Sequence, residues 1–296
     1  MSLEDNLKVT TILITGATGF LGEYVIRRLL KSRSEIRAFV RPTSDIAWLS
    51  KQDVHLFFGD LSQDHAIQSA LQGVDLLINV ASLGFGHAPN IVNSLIKSEV
   101  RRAVFVSSTS IFSKLSTRSK VTRIQAEFVI AESGLDYTIV RPSMIYGSPR
   151  DRNIWRLVNF IKKWPIVPII GRGDALQQPV YVDDVAQAIV SASQRDRSIG
   201  QSYDIAGAEA ISFLDIINLV SAALGRSTKK VHIPYVMAKY ASLLFGSIGL
   251  GITFEQVLRF REEKTFDISA ASRDLGYKPL VFEDGLAHEI QWLRKL

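Results

Sequence analysis

Three glycines, Gly16, Gly19 and Gly22, recur at every third position of the segment TGATGFLG (15–22). A β-rich apolar run, VTTILITG, leads into them, and a helix-patterned run, EYVIRRLL, leads out. The chemistry that this spacing suits is the holding of phosphate. Gly16 permits a tight turn, Gly19 lets backbone approach a pyrophosphate, and Gly22 lets the helix pack against the strand. The start of the helix then offers free N–H groups and the positive end of a dipole to the anion. Thr18, Phe20 and Leu21 complete the loop, and the whole predicts a dinucleotide site.

Which dinucleotide is decided at the end of the second strand, where an acid would hydrogen-bond the ribose hydroxyls and an arginine would pair with a 2′-phosphate. The chain reads FVRPTSD, with Arg41 at that point and Thr43 just beyond. NADP(H) is therefore favoured. NAD(H) stays open, because an arginine at a strand end also snorkels or stacks on adenine. Asp60 and Leu61, in GDL after the third strand, are placed to reach the adenine. Asp60 is equally well placed to cap the next helix.

Length and composition bound the rest. The 296 residues are 47% hydrophobic, enough for a substantial core. A net charge of +6 suits an anionic ligand, but the 35 basic residues are scattered among 29 acidic ones, which argues against nucleic acid. Cysteine is absent from the sequence, which excludes disulfides, thiolate metal sites and cysteine nucleophiles. No spacing suggests a metal site. The N-terminal MSLEDNLKVTTILITG carries acids where a secretion signal carries bases, so a cytoplasmic location is expected. The uncharged stretch YASLLFGSIGLGITF (240–254) is too short to span a bilayer. It reads as a buried or interfacial helix, or as a greasy lip for an apolar substrate or a membrane surface.

What positions the glycine loop is an alternation of strands and helices. VTTILITG (9–16), EIRAFV (35–40), VHLFFG (54–59), VDLLINV (74–80), RAVFVSS (102–108) and YTIVRPS (137–143) are the predicted strands, separated by helix-length segments. Such alternation implies a parallel sheet, and near-continuous apolar strands imply helices on both faces. PVYVDDVAQAIVSAS (179–193) reads as a strand end running into another helix, and DRNIWRLVNFIKKWPIVPIIGRGD (151–174) as a helix and then a proline-broken strand. The predicted fold class is α/β, a doubly wound parallel Rossmann sheet with a small, interwoven C-terminal substrate lobe. Residues 8–148 and 178–206 are expected to form the nucleotide domain, and 149–177 and 207–296 the lobe.

Taken in order, TGATGFLG, GDL (59–61), NVAS (79–82), VSSTSIF (106–112), RPSMIYG (141–147), PVYVDDVA (179–186) and FDISAASRDLGYKP (266–279) resemble the extended short-chain dehydrogenases/reductases, relatives of the NAD(P)-dependent epimerases and dehydratases. The resemblance spans nearly the whole chain. It implies substrate held between the two parts of the molecule, and it adds Val80, Ala81, Ser82, Arg123, Pro142 and Ser143 to the cofactor contacts.

In that family a Ser or Thr orients the substrate oxygen, and a Tyr followed four residues later by Lys moves the proton. Positions i and i+4 share a helical face, so the ammonium lowers the phenol's pKa. By the resemblance Ser108 is the serine. Glu127 matches the acid of the family's Lys-x-x-x-Glu helix, which puts Arg123 at the lysine position and Ser119 at the tyrosine position. Here the chain departs from the family. Taking Lys120 as the lysine instead makes the tyrosine position Ser116, and no tyrosine lies between Tyr24 and Tyr137. A serine hydroxyl is a poor acid and arginine does not titrate near neutrality. Loss of a positioned acid costs about 10² to 10⁴ in rate.

Other residues then compete for the proton. Lys120 and Arg123 lie three apart on one helical face, so one cation would reach the nicotinamide ribose and the other the substrate, unless Lys120 is simply solvated. Tyr146 either faces the cleft as a surrogate acid or packs the lobe interface. His87 lies in the glycine-flexed loop GFGHAPN, and Ser107 and Thr109 flank Ser108, where they also suit strand-end backbone groups. Gln177 stands where nucleotide-sugar members carry a diphosphate-clamping arginine. Arg172, in a glycine turn, is a poor replacement. Asp183 and Asp184 read as helix N-terminal acids. Two functions follow: an atypical NADP(H)-dependent oxidoreductase acting on a small, apolar carbonyl or alcohol, or a non-catalytic NAD(P)-binding sensor or accessory/assembly protein. The resemblance also makes the helices after the fourth and fifth strands the expected faces of a homodimer.

Overall fold

The computed structural model describes residues 10–238 and 262–294; the uncharged stretch 240–254 lies outside them. The first half alternates as expected: β1 (Thr11–Thr15), α1 (Phe20–Leu29), β2 (Glu35–Val40), β3 (His55–Phe58), α2 (Asp64–Leu71), β4 (Leu76–Asn79), α3 (Ala88–Lys97), β5 (Arg102–Val106), α4 (Arg118–Ala131) and β6 (Asp136–Pro142). Shorter elements follow: β7 (Ile145–Tyr146), α5 (Ile154–Lys163), β8 (Ile166–Ile170), β9 (Leu176–Gln177) and β10 (Val180–Tyr181). The chain then runs through α6 (Val182–Ser193), β11 (Gln201–Ile205), β12 (Ile211–Ser212), α7 (Phe213–Ala223), β13 (Lys229–Ile233), α8 (Ser269–Leu275) and α9 (Phe282–Gln291).

Seven strands pair in parallel in the order β11-β6-β5-β4-β1-β2-β3. Six of them are the predicted ones. The seventh, β11, is not among them, because QSYDI buries just Tyr203 and Ile205 and lacks the continuous apolar run of a central strand. It forms an edge against β6, entered through a turn at Gly200 (φ 73°).

Side chains alternate across the sheet with a period of two. Ile12, Ile14, Val104 and Val106 join one buried cluster with Val25 and Ile26 of α1 and Val185 and Ile189 of α6. Leu13, Ala103 and Phe105 join a second with residues of α2, α3 and α4, among them Ile67, Ile91 and Ile130. Helices on both faces make this a doubly wound Rossmann sheet. A third, smaller cluster joins Val158 of α5, Val167 of β8, Ile216 of α7 and Phe282 of α9. The sequence-based boundary gives all of 207–296 to this small lobe. Ala271, Leu275 and Tyr277 nevertheless pack into the first cluster, and the Tyr277 hydroxyl donates to the Ala206 carbonyl (2.8 Å). Among the described residues no helix is long and apolar enough to cross a membrane.

Two acids are buried where the small lobe meets the sheet. Asp151 accepts from the N–H groups of Asn153 (2.5 Å) and Trp155 (2.8 Å), which fixes the first turn of α5. Glu289 of α9 is fully buried, with neither carboxyl oxygen in a well-formed hydrogen bond; the Asp151 carboxyl and the Gly147 N–H face it. Burial first, and then the Asp151 charge, push the Glu289 pKa up to about 9. The folded chain therefore keeps a proton that the unfolded chain loses around its ordinary value of 4.5. Folding binds that proton, so stability declines as pH rises between the two values. Glu289→Gln, which mimics the protonated form, is expected to raise the Tm at pH 8 and to change it little below pH 4.5. Thermal melts across this range test it, and an unaltered pH slope in the variant would remove the assignment.

Candidate functional site

β1 and β4 are neighbours in the sheet but not in sequence, so the strand order reverses between them. A crevice at the carboxyl ends of such a pair is where open α/β sheets bind ligands. The ends are tied together: Thr15 Oγ1 donates to Asn79 Oδ1 (2.6 Å), and Asn79 Nδ2 donates to the Ala81 carbonyl (3.0 Å). Gly16 follows at φ 70°, and a Cβ there would lie 2.6 Å from Ala81 N. A Cβ on Gly22 would lie 2.2 Å from the Gly16 carbonyl oxygen. Backbone meets backbone at both points, which only glycine allows. Leu21 is buried beneath the loop and Phe20 stands edge-on to Tyr24 (5.9 Å). The N-terminus of α1 is left pointing into the crevice mouth, with its first N–H groups available to an anion.

Beside this loop is a cleft of about 440 Å³ lined by Thr18, Glu23, Arg41, Thr43, Trp48 and Arg150, among others. Arg41 is exposed, and its carbonyl accepts from Ser44 N (2.9 Å) to close a turn. Arg150 is a residue that sequence reasoning missed. It comes from the connection between β7 and α5, donates from Nη2 to the Thr18 carbonyl (2.5 Å) and pairs through Nη1 with Glu23 (2.9 Å). Asp60 forms a local turn, its Oδ1 accepting from Ser62 N (2.8 Å) and Ser62 Oγ (2.6 Å), and these bonds hold its pKa below the usual carboxylate range. It does not cap α2, whose N-cap is Gln63. The carbonyl of Leu61 accepts from Asn90 Nδ2 (3.4 Å).

The second half of the site is set by α4. Arg141 of β6 donates from Nε and Nη2 to the Glu127 carboxylate of α4, with a closest approach of 2.6 Å, and lies 3.8 Å from Asp204 of β11. Thr117 caps the helix by accepting from Lys120 N (3.2 Å). The register is thereby fixed, and the Arg123 guanidinium lies between Ser82 Oγ (3.4 Å) and Ser110 Oγ (3.4 Å), also bonding the Ser119 carbonyl (3.3 Å). Ser82, Ser110, Ser119 and Arg123 are thus brought together from the ends of β4 and β5 and from α4. Ser108 is two residues from this group, its Oγ accepting from Ser110 N (3.2 Å). Ser107 Oγ is buried and has no hydrogen-bond partner among the described residues. Gly84 passes so close that a Cβ on it would lie 3.1 Å from the guanidinium.

This geometry accommodates a dinucleotide: a loop that any Cβ would fill, a free helix N-terminus and an orphaned hydroxyl at the end of β5. The family model described as NAD(P)H-binding matches residues 16–196, which begin at the glycine loop and end past α6. The chain belongs to the NAD(P)H-binding family. Proteins similar to it include dehydrogenases, reductases, and nucleotide-sugar epimerases and dehydratases. It is 24% identical to a 3β-hydroxysteroid dehydrogenase/Δ5→4-isomerase of Mycobacterium tuberculosis, over 91% of this chain and 86% of that protein. It is 23% identical to the photosystem II assembly factor Ycf39 of Trieres chinensis, over 93% of this chain and 88% of that protein. The fold matches that of dTDP-glucose 4,6-dehydratase from Bacillus anthracis, solved with NAD, with a TM-score of 0.78 at 16% identity over 97% of each chain.

By the resemblance, Ser119 and Arg123 of α4 are the residues expected at the tyrosine and lysine positions of the family's catalytic helix. An arginine stays charged near neutrality and a serine hydroxyl does not ionise, so this group can hold an oxygen but not tune a proton. Lys120 does not join it, because its Nζ donates to the Ser113 carbonyl. Ser113 Oγ in turn donates to Glu262 (2.8 Å), so Lys120 braces the loop after Ser108.

Tyr146 requires a correction. Its side chain is fully buried against Tyr181 and Phe282 and its hydroxyl donates to the Phe282 carbonyl (3.2 Å). Burial raises its pKa, so it packs the lobe interface and is no surrogate acid. His87 stands at the N-cap of α3, its ring tilted against Phe85. Gln177 donates to the Glu262 carbonyl (3.0 Å), and Arg172 pairs with Asp174 at the surface. Asp183 and Asp184 open α6, bonded to Arg28 and to Leu280 N. Pro142 ends β6 and Ser143 follows it, the Ser143 hydroxyl donating to the Gln178 carbonyl (2.6 Å) and the Pro142 carbonyl accepting from Thr109 Oγ1 (3.4 Å).

Proposed function

We propose that the protein is an NADP(H)-dependent oxidoreductase for a small, apolar carbonyl or alcohol, working without a Tyr-x-x-x-Lys pair. The observation that carries this reading is the Arg123 guanidinium held between Ser82 and Ser110 at the ends of β4 and β5. Gly16, Thr18, Gly19 and Gly22 would hold the pyrophosphate, and Arg41 with Arg150 the 2′-phosphate. Val80, Ala81, Ser82, Pro142 and Ser143 would border the nicotinamide half. The bound nicotinamide supplies hydride transfer. Ser108 donates a hydrogen bond to the substrate oxygen, and Arg123 stabilises the negative charge that develops on it. With no phenol in place the proton comes from water, and turnover is slower than in relatives with the tyrosine by about 10² to 10⁴. Phe112 supports an apolar substrate. It follows Ser108 closely, is exposed, and its ring lies 6.3 Å from that of Phe266.

A second reading, a non-catalytic NAD(P)-binding accessory protein, is favoured by the burial of Tyr146 and the serine at position 119. A homodimer through α3 and α4 belongs to either reading. Val121, Ile124 and Phe128 are exposed at helical spacing on α4, with Ile96 exposed on α3.

Arg41→Asp and Arg150→Ala should each weaken NADPH binding by about tenfold or more and NADH binding less, read by calorimetry; equal losses for both cofactors would cancel the 2′-phosphate assignment. Pre-bound NADPH should be oxidised on addition of some member of a panel of aldehydes, ketones and enones, and Arg123→Gln should slow that oxidation. Silence across the panel with cofactor affinity intact selects the accessory reading. Phe128→Glu should convert a dimer to a monomer in sedimentation velocity, and a wild-type protein that sediments as a monomer would dismiss the dimer.

A further inference from the structure

We infer that the tip of the small lobe, formed by the end of α5 and the starts of β8 and β13, docks on an anionic membrane surface. Charge is the first ground. No Asp or Glu occurs from 152 to 173 or from 216 to 238. These are the two segments that build the tip. Lys162 and Lys163 end α5, and Lys229 and Lys230 begin β13. Among the described residues none of the four is in an ion pair.

The fold puts these lysines in one place. Lys229 N donates to the Pro165 carbonyl (2.8 Å), and β13 runs parallel to β8 with Lys229 opposite Ile166 and Val231 opposite Pro168. Arg226 closes the tip by donating to the Ile161 carbonyl (3.2 Å) in the last turn of α5.

Apolar exposure is the second ground. Residues 162–166, KKWPI, are all exposed. Trp164 is 51% exposed, Ile166 50%, Val231 41% and Phe160 38%, the largest apolar groups of a surface ringed by lysines. Paired strand residues point to the same face, so Ile166 and Pro168 stand on one side of the two-stranded sheet with Lys229 and Val231. Lys163 Nζ lies over the Trp164 ring at 5.4 Å. An indole beside lysines suits the boundary of a bilayer. The ring sits at headgroup level, the aliphatic residues enter the acyl boundary, and the ammonium groups reach anionic headgroups. An acidic protein would match the charge alone, and a second copy of this chain would bring like charge against like. The docking is independent of the redox chemistry, because the tip shares no residue with the site around Arg123.

The test uses the full chain with vesicles of phosphatidylcholine alone and of phosphatidylcholine with about one third phosphatidylglycerol. The protein should co-sediment with the anionic vesicles, and binding should fall steeply as salt rises from about 0.1 M to about 1 M. Each of Lys162→Glu, Lys163→Glu and Lys229→Glu should weaken it by about fivefold or more while leaving NADPH affinity intact, which shows that the fold is retained. Tryptophan emission should shift to the blue on binding, and the shift should be lost in Trp164→Phe even though that variant still sediments. Failure to bind either vesicle, or equal binding after charge reversal, would overturn the proposal. Self-association that Trp164→Glu abolishes, without vesicle binding, would assign the tip to a second copy and overturn it as well.

Discussion

Everything in the molecule is hung on a contact between bare stretches of backbone. Gly22 lies so close to Gly16, and Gly16 so close to Ala81, that a single methyl group at either glycine would overlap main-chain atoms. The first contact seats α1 on the end of β1. The second seats the loop on the end of β4. Together they leave the helix N-terminus at the point where the strand order reverses, and the position of every other cofactor-facing residue is measured from there. The Thr15–Asn79 bond beneath holds the two strand ends at one height.

On the opposite side of the crevice the same positioning is done by charge. The Glu127–Arg141 pair fastens α4 to β6, and so fixes which residues of α4 face the ends of β4 and β5. The place of the helix is thereby set independently of the residues at the middle of its length. The anchor lies toward the helix's carboxyl end, four residues beyond Arg123, and does not depend on the identities of positions 119 and 123. Arg123 then finds hydroxyl partners on both neighbouring strand ends, where a shorter lysine would make a single point contact.

The parts legible in sequence were those written in local pattern. The six predicted strands, five inside the sheet and β3 at its edge, are rich in apolar residues, and the glycine loop has its strand before it and its helix after it. β11 was not legible, because an edge strand with exposed Gln201 and Ser202 looks like a loop. Arg150 was not legible either: its partners, Thr18 and Glu23, are far away in sequence, and a lone arginine in a loop carries no period. Tyr146 shows a different limit. Its position after the sixth strand was read correctly, but the direction of its side chain is set by Phe282 from α9, which local pattern does not report. Glu289 is harder still, since an acid in an amphipathic helix ordinarily faces water.

Arg150 and Asp151 are adjacent in the chain and serve opposite halves of the molecule. One grips the loop at Thr18, and the other caps the first turn of α5. Neighbouring residues thus anchor this connection to the glycine loop on one side and to the start of α5 on the other.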